Sequence, residues 1–144
     1  MIQPEVRRLL ERGGWTRGRR VRIKAAKTRL ESEGYATWPA LLEFMAAFDR
    51  LRLDLDLPAG RSDAVFDVKG AIAETDSSWV EEYEARIAAR LAPIGSAHHG
   101  HMVLMLADDG GFYAGFDDYL FHLGSDLSEA LLSLMRGGPL PEIA

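Results

Sequence analysis

Apolar positions along the chain follow two rhythms, and the switch between them marks out its elements. "PEVRRLLER", residues 4–12, predicts a helix that Pro4 starts and Gly13-Gly14 stops. "KAAKTRLESEG", residues 24–34, predicts a second, closed by Gly34 in a left-handed conformation. "WPALLEFMAAFDR", residues 38–50, predicts a third, with Leu41, Phe44, Met45 and Phe48 on one face. A stripe of aromatics and Met at helical spacing is core. From residue 51 the period drops to two. Leu51, Leu53, Leu55 and Leu57 alternate with Arg52, Asp54 and Asp56, as in a strand with one buried and one wet face. "DAVFDV", residues 63–68, predicts another short strand.

The helical rhythm returns in "SSWVEEYEARIAARL", residues 77–91, where Ser78 and Glu81 are spaced as a capping box. Trp79, Tyr83, Ile87 and Leu91 run down one side of this helix, and Glu81, Glu82 and Glu84 occupy the rest. "PIG", residues 93–95, is expected to break it. "HMVLMLADDGGFYAGF", residues 101–116, predicts a β-hairpin around its "DDGG" turn. "SDLSEALLSLMRGG", residues 125–138, predicts a last helix, capped by Asp126 and Glu129 and ended by Gly137-Gly138 and Pro139. Helices first, strands in the middle and a helix last predict one α+β domain over residues 1–144, without linker or internal repeat.

Composition narrows the class. A chain of 144 residues that is 47% hydrophobic can bury a core, which excludes disorder. No apolar run approaches the roughly 20 residues of a membrane span, and the first residues lack the apolar stretch of a secretion signal. The absence of cysteine excludes disulfides and thiolate metal sites, and suits a reducing cytoplasm.

The net charge of −5 hides a division. Residues 1–29 hold ten basic groups against two acidic ones, and the remainder holds seven against twenty. The basic groups peak in "GGWTRGRRVRIK", with Arg17, Arg19, Arg20, Arg22 and Lys24. A nucleic-acid binder spreads its cations over a face and interleaves aromatics. Here Trp15 stands alone and the acidic body repels phosphate. The stretch therefore predicts a solvated edge whose arginines pair with the protein's own carboxylates, and no direct nucleic-acid partner.

Catalytic patterns are scarce. "AHHGH" offers His98, His99 and His101, of which His99 and His101 share a face in an extended chain, but no further ligands are spaced to complete a metal site. A polar turn between helix and strand accounts for them. Serines 77, 78, 125, 128 and 133 fall at or inside predicted helices, where capping explains several. There is no nucleophile elbow and no phosphate loop. The pair Asp108-Asp109 opens a hairpin turn and Asp117-Asp118 follows the hairpin, positions where Asp is favoured by backbone geometry or solvent. No catalytic residue, metal or cofactor is expected. A bare, acidic domain of this kind works by presenting a surface to another protein.

The order of landmarks resembles the third family of SUKH immunity proteins. The matching elements are "GGWTRGRRV" at 13–21, "EGYATWPALLEFMAAF" at 33–48, Trp79 with Tyr83-Glu84, "LAPIG" at 91–95, "VLMLADDGGFYAG" at 103–115 and "LGSDLSEALLSLMRG" at 123–137. They cover a core of about 13–137 in the family's order. The family commonly has a Gly pair and Leu after the third helix, where this chain has Asp49-Arg50, and "VFDVKGAIAETDSS" matches loosely.

The resemblance implies a twisted, mainly antiparallel sheet with helices packed against it. It also implies a non-catalytic protein of the bacterial cytoplasm that binds and neutralises a cognate toxin, often a nuclease or nucleic-acid deaminase. Such toxins carry cationic clefts, which the acidic body would attract. Glu81, Glu82, Glu84, Asp108, Asp109, Asp117 and Asp118 are the candidate contact surface. The alternative is a general protein-binding adaptor of the same superfamily. Oligomeric state stays open: an edge near residues 51–57 could pair between subunits, and Arg52, Asp54 and Asp56 oppose that.

Overall fold

The structure, a computed structural model, describes residues 2–144. Three helices come first: α1 (Pro4–Arg12), α2 (Lys24–Ser32) and α3 (Pro39–Phe48). Strands β1 (Leu51–Leu57) and β2 (Gly60–Phe66) follow, then helices α4 (Val68–Ala73) and α5 (Ser77–Ile87). The chain continues through β3 (Leu91–Ala97), β4 (Met102–Ala107), β5 (Phe112–Phe116) and β6 (Tyr119–Gly124) to α6 (Leu127–Arg136) and a short β7 (Glu142–Ile143). All seven strands form one antiparallel sheet in chain order, with helices against it, which is the expected α+β class.

Alternation along β1 decides which face is inward. Leu51, Leu53 and Leu55 are buried while Arg52, Asp54 and Asp56 are exposed. Pairing carries that choice across the sheet, because Leu51 opposes Phe66, Phe66 opposes Gly95, Gly95 opposes Leu104 and Leu104 opposes Ala114. On this inner face Phe44 of α3 meets Phe66 edge-on at 5.2 Å and Phe112 at 5.7 Å between ring centroids. Trp15 is buried as the basic stretch begins, stacked on Phe48. Helix α6 packs against both β1 and β6, so the sheet must curl around it. Gly95 lies at a register shift in β3, where any side chain would drive into the carbonyl of Val65.

Several local expectations are corrected. α5 ends at Ile87, where Ala88 turns left-handed at φ 53°, so Leu91 belongs to β3 and "PIG" lies inside a strand instead of breaking a helix. The cap of α5 is Asp76, which accepts from the Ser78 N–H, and not a Ser78–Glu81 box. At α6 Asp126 accepts from Glu129 N–H as expected, while the Glu129 carboxylate returns to Ser125 N–H. Helix α4 and strands β3, β6 and β7 had no periodic signal strong enough to predict them. β3 is buried at six of its seven positions, so it shows no alternation.

The basic stretch is also corrected. Arg19 donates to the carbonyls of Ala47 and Asp49, both at 2.8 Å, and closes the carbonyl end of α3. Among the described residues no ion pair involves Arg17, Arg19, Arg20, Arg22 or Lys24. The arginines therefore serve backbone and solvent in place of carboxylates.

Asp49 joins the pieces. It is 2% exposed, and its Oδ1 accepts from the Val68 N–H at 2.9 Å, pinning the start of α4 to the junction of α3 and β1. Burial outweighs that hydrogen bond and the neighbouring Arg50, and raises the carboxyl above its ordinary 3.8. Arg50 beside it has φ 62°, a left-handed backbone that Gly adopts without steric cost and that an Arg side chain strains.

Two outcomes are expected in urea titrations. Ala88→Gly should stabilise the fold by about 0.5–1 kcal/mol, since it relieves a left-handed alanine. Asp49→Asn keeps an acceptor for Val68 and never ionises. Because the native pKa of Asp49 is raised, the parent loses stability at this site as pH rises above 3.8. The difference between Asp49→Asn and the parent should therefore grow in favour of the variant as pH climbs toward neutrality. Asp49→Ala should instead lose about 1–3 kcal/mol by leaving the Val68 N–H unpaired.

Candidate functional site

The outer sheet face is finished on one side only. Its register aligns Val65, Ser96, Val103 and Gly115 in one row across β2, β3, β4 and β5. These side chains are small, and three of them stay half-exposed. Helices α4 and α5 cover one flank of the row, and the β3–β4 turn at His99–His101 rises on another. Between them lies an open groove of about 770 Å³.

Its chemistry is uneven. The lining holds the carboxylates of Asp67, Glu74, Asp76 and Asp117 and not one Lys or Arg. Asp67 caps α4 through the Gly70 N–H at 3.1 Å. Asp76 accepts from the Ser78 hydroxyl at 2.7 Å and the Ser78 N–H at 2.9 Å, which hold its carboxyl below the ordinary range. Aromatic rings share the rim. Trp79 is 37% exposed and stacks on Tyr83 at 6.5 Å, and His101 stacks on Phe116 at 4.2 Å. Trp79 and Tyr83, placed on one side of the helix by their spacing, differ in burial: Tyr83 is buried and Trp79 is exposed. Tyr83 sits on Gly115, where an added Cβ would lie 2.6 Å from its ring, and its hydroxyl donates to the Asp117 carbonyl. Burial raises the Tyr83 pKa, so the phenol stays protonated for that bond.

The three histidines occupy a turn between two strands, instead of the helix–strand turn expected. His98 and His99 both have positive φ, 56° and 59°. Buried Asp63 holds them there, accepting from His99 N–H at 2.8 Å through its carboxylate and from His98 N–H through its carbonyl. The same carboxylate lies 3.2 Å from the Arg52 guanidinium. The His98 ring faces the Ser62 hydroxyl at 2.6 Å, and burial lowers its pKa, so it is neutral at pH 7. Among the described residues no three His, Asp or Glu side chains converge as a metal site.

The seven candidate carboxylates take different places around α5. Glu81 and Glu82 are exposed on it, and Glu82 pairs with Arg86 at 2.6 Å. Glu84 turns back to accept from Leu91 N–H at 2.8 Å. Asp117 and Asp118 are drawn to the helix, because Tyr83 and Arg86 donate to their carbonyls. Asp108 accepts from Arg90 N–H, and Asp109 closes its own turn through Gly111 N–H at 2.8 Å. Only Asp117 lines the groove. Glu74 and Asp76 escaped notice because they precede a helix, where acidic residues have a capping role. Pairing alone reveals the Val65–Gly115 row.

The sequence profile of the SUKH-3 immunity protein family matches residues 2–137. The chain belongs to that family. Membership assigns this SUKH-3 protein a role in toxin immunity, with a cognate toxin as the kind of partner. No curated protein and no solved structure matches it. Among the described residues no helix is long and apolar enough to cross a membrane.

Gly115 should prove the most sensitive point of the groove. Gly115→Ala should destabilise by about 1–3 kcal/mol, because Tyr83 must move off the sheet. Ser96→Ala, in the same row but half-exposed, should change stability by less than about 0.5 kcal/mol. Chemical denaturation of both variants measures the contrast.

Proposed function

We propose that this SUKH-3 protein neutralises a toxin that attacks nucleic acid, a nuclease or nucleic-acid deaminase of a polymorphic toxin system, by covering its cationic cleft. It does so without catalysis or cofactor, in the cytoplasm of the bacterium that makes it, with residues 1–144 acting as one domain. The observation that carries this reading is the gathering of carboxylates around α5. Glu81, Asp117 and Asp118 have no cationic partner among the described residues, and Glu74 and Asp76 extend the same acidic surface into the groove. Phosphate-binding toxins present the opposite charge, so the two surfaces attract before they touch. Glu82, Glu84, Asp108 and Asp109 belong to the same contact surface, although their hydrogen bonds and ion pair show that each also has structural work.

This geometry favours a binder over a hydrolase. The family role is immunity, the groove is open, and three of its four carboxylates are exposed while the half-buried Asp67 is engaged in capping α4, whereas a general acid needs a free carboxyl desolvated among its neighbours. In this reading nucleic acid is not a direct partner: Trp15, the aromatic of the basic stretch, is buried against Phe48 instead of offered for stacking, and the groove's carboxylates repel phosphate.

Co-expression with the toxin encoded beside this gene tests the reading. The intact protein should protect cells and co-purify with the toxin. A variant with Glu81→Lys, Glu82→Lys and Glu84→Gln (the last chosen to spare the Leu91 contact) should bind about tenfold or more weakly, chiefly through slower association, with a shallower salt dependence. Cells that die despite co-expression with every neighbouring toxin, or a stable partner unrelated to toxins, would favour the adaptor alternative.

A further inference from the structure

We propose that the groove seats an extended segment of the toxin presenting an arginine, whose guanidinium lies over the Trp79 ring and pairs with Glu74 and Asp76. This rests on the neutralisation reading above and supplies the chemistry of its central contact.

Space comes first. The open part of the row, Val65–Ser96–Val103, crosses three strands, about 10 Å, which is the length of about three residues of extended chain, while Tyr83 covers its Gly115 end. Its small side chains leave a trough where larger ones would have completed the face, and the Ser96 hydroxyl has no hydrogen-bond partner among the described residues. A segment laid across it would gain both apolar contact and a polar anchor.

Charge comes second. Four carboxylates and no Lys or Arg line the groove. Asp67 is engaged in capping, but both bonds to Asp76 fall on Oδ1 and leave Oδ2 without a partner. Glu74 is exposed and makes no ion pair among the described residues. A partner here is therefore cationic.

The ring selects among cations. Trp79 is held by stacking on Tyr83, itself fixed by Gly115 beneath and the Asp117 carbonyl at its hydroxyl. The exposed indole face is therefore ordered before binding, which lowers the entropy cost of contact. Indole is the best aromatic partner for a cation. A planar guanidinium stacks on it while its edge forks to a carboxylate, whereas an ammonium contributes only a point charge.

The test uses the intact, ¹⁵N-labelled protein and three peptides: acetyl-Gly-Arg-Gly-amide and its counterparts with lysine or citrulline. The arginine peptide should shift the Trp79 indole N–H and the amides of Ser96 and Gly115, with an affinity roughly tenfold or more above that of citrulline and several-fold above lysine. The double variant Glu74→Gln, Asp76→Asn, in which Asn keeps the α5 cap, should reduce arginine to the citrulline level. Equal binding of citrulline, shifts confined to another face, or undiminished binding by the double variant would overturn the proposal. If the double variant loses the peptide but still protects cells and binds the toxin unchanged, the groove is not the toxin's seat, while neutralisation stands. If the peptide binds as expected but no neighbouring toxin is neutralised, the arginine seat is supported and the toxin is removed as its occupant.

Discussion

The buried carboxylate of Asp49 sets the frame in which the rest of the molecule is arranged. At one residue, α3 ends, β1 is about to begin and α4 is tethered through Val68 N–H. Arg19 completes the junction by binding the carbonyls of Ala47 and Asp49. A buried charge is costly, and this one keeps a raised pKa even with its hydrogen bond. It acts as a positional device, joining helices and sheet at a point where neither periodic structure can satisfy the other's backbone. The placement of α4 then determines one wall of the groove.

The groove is a packing mismatch put to use. On the inner face, Phe44, Phe66 and Phe112 fill the space between α3 and the sheet. On the outer face α4 is six residues long and α5 eleven, too little helix to cover the sheet, and the row beneath is Val, Ser, Val and Gly. Gly115 lets Tyr83 settle directly on the sheet, which in turn props Trp79 outward. One glycine thus converts a core contact into an exposed, ordered ring.

Charge is separated on the same scheme. Most cations lie in the first 29 residues and stay in solvent or serve helix ends, while carboxylates gather around α5 and the groove. Because Tyr83 and Arg86 hold the Asp117–Asp118 turn by its carbonyls, those two carboxylates are left available instead of being spent on local bonds.

Local sequence determined whatever depends on near neighbours. Helical spacing announced α1, α2, α3 and α6, alternation announced β1 and its wet face, and "DDGG" announced the β4–β5 hairpin, since each pattern arises within a few residues. Family landmarks added the overall class. Where burial is nearly complete or elements are short, the signal vanished: β3 is buried at six of its seven positions, α4 has barely two turns, and "PIG" looks like a helix breaker although Gly95 serves a strand bulge. The site was legible only in part. Its acidic character was visible and Asp117 was named, but the floor residues Val65, Ser96, Val103 and Gly115 lie fifty positions apart end to end. Strand register alone makes them neighbours. Register is a cooperative choice of the whole sheet, and no stretch of chain carries that information by itself.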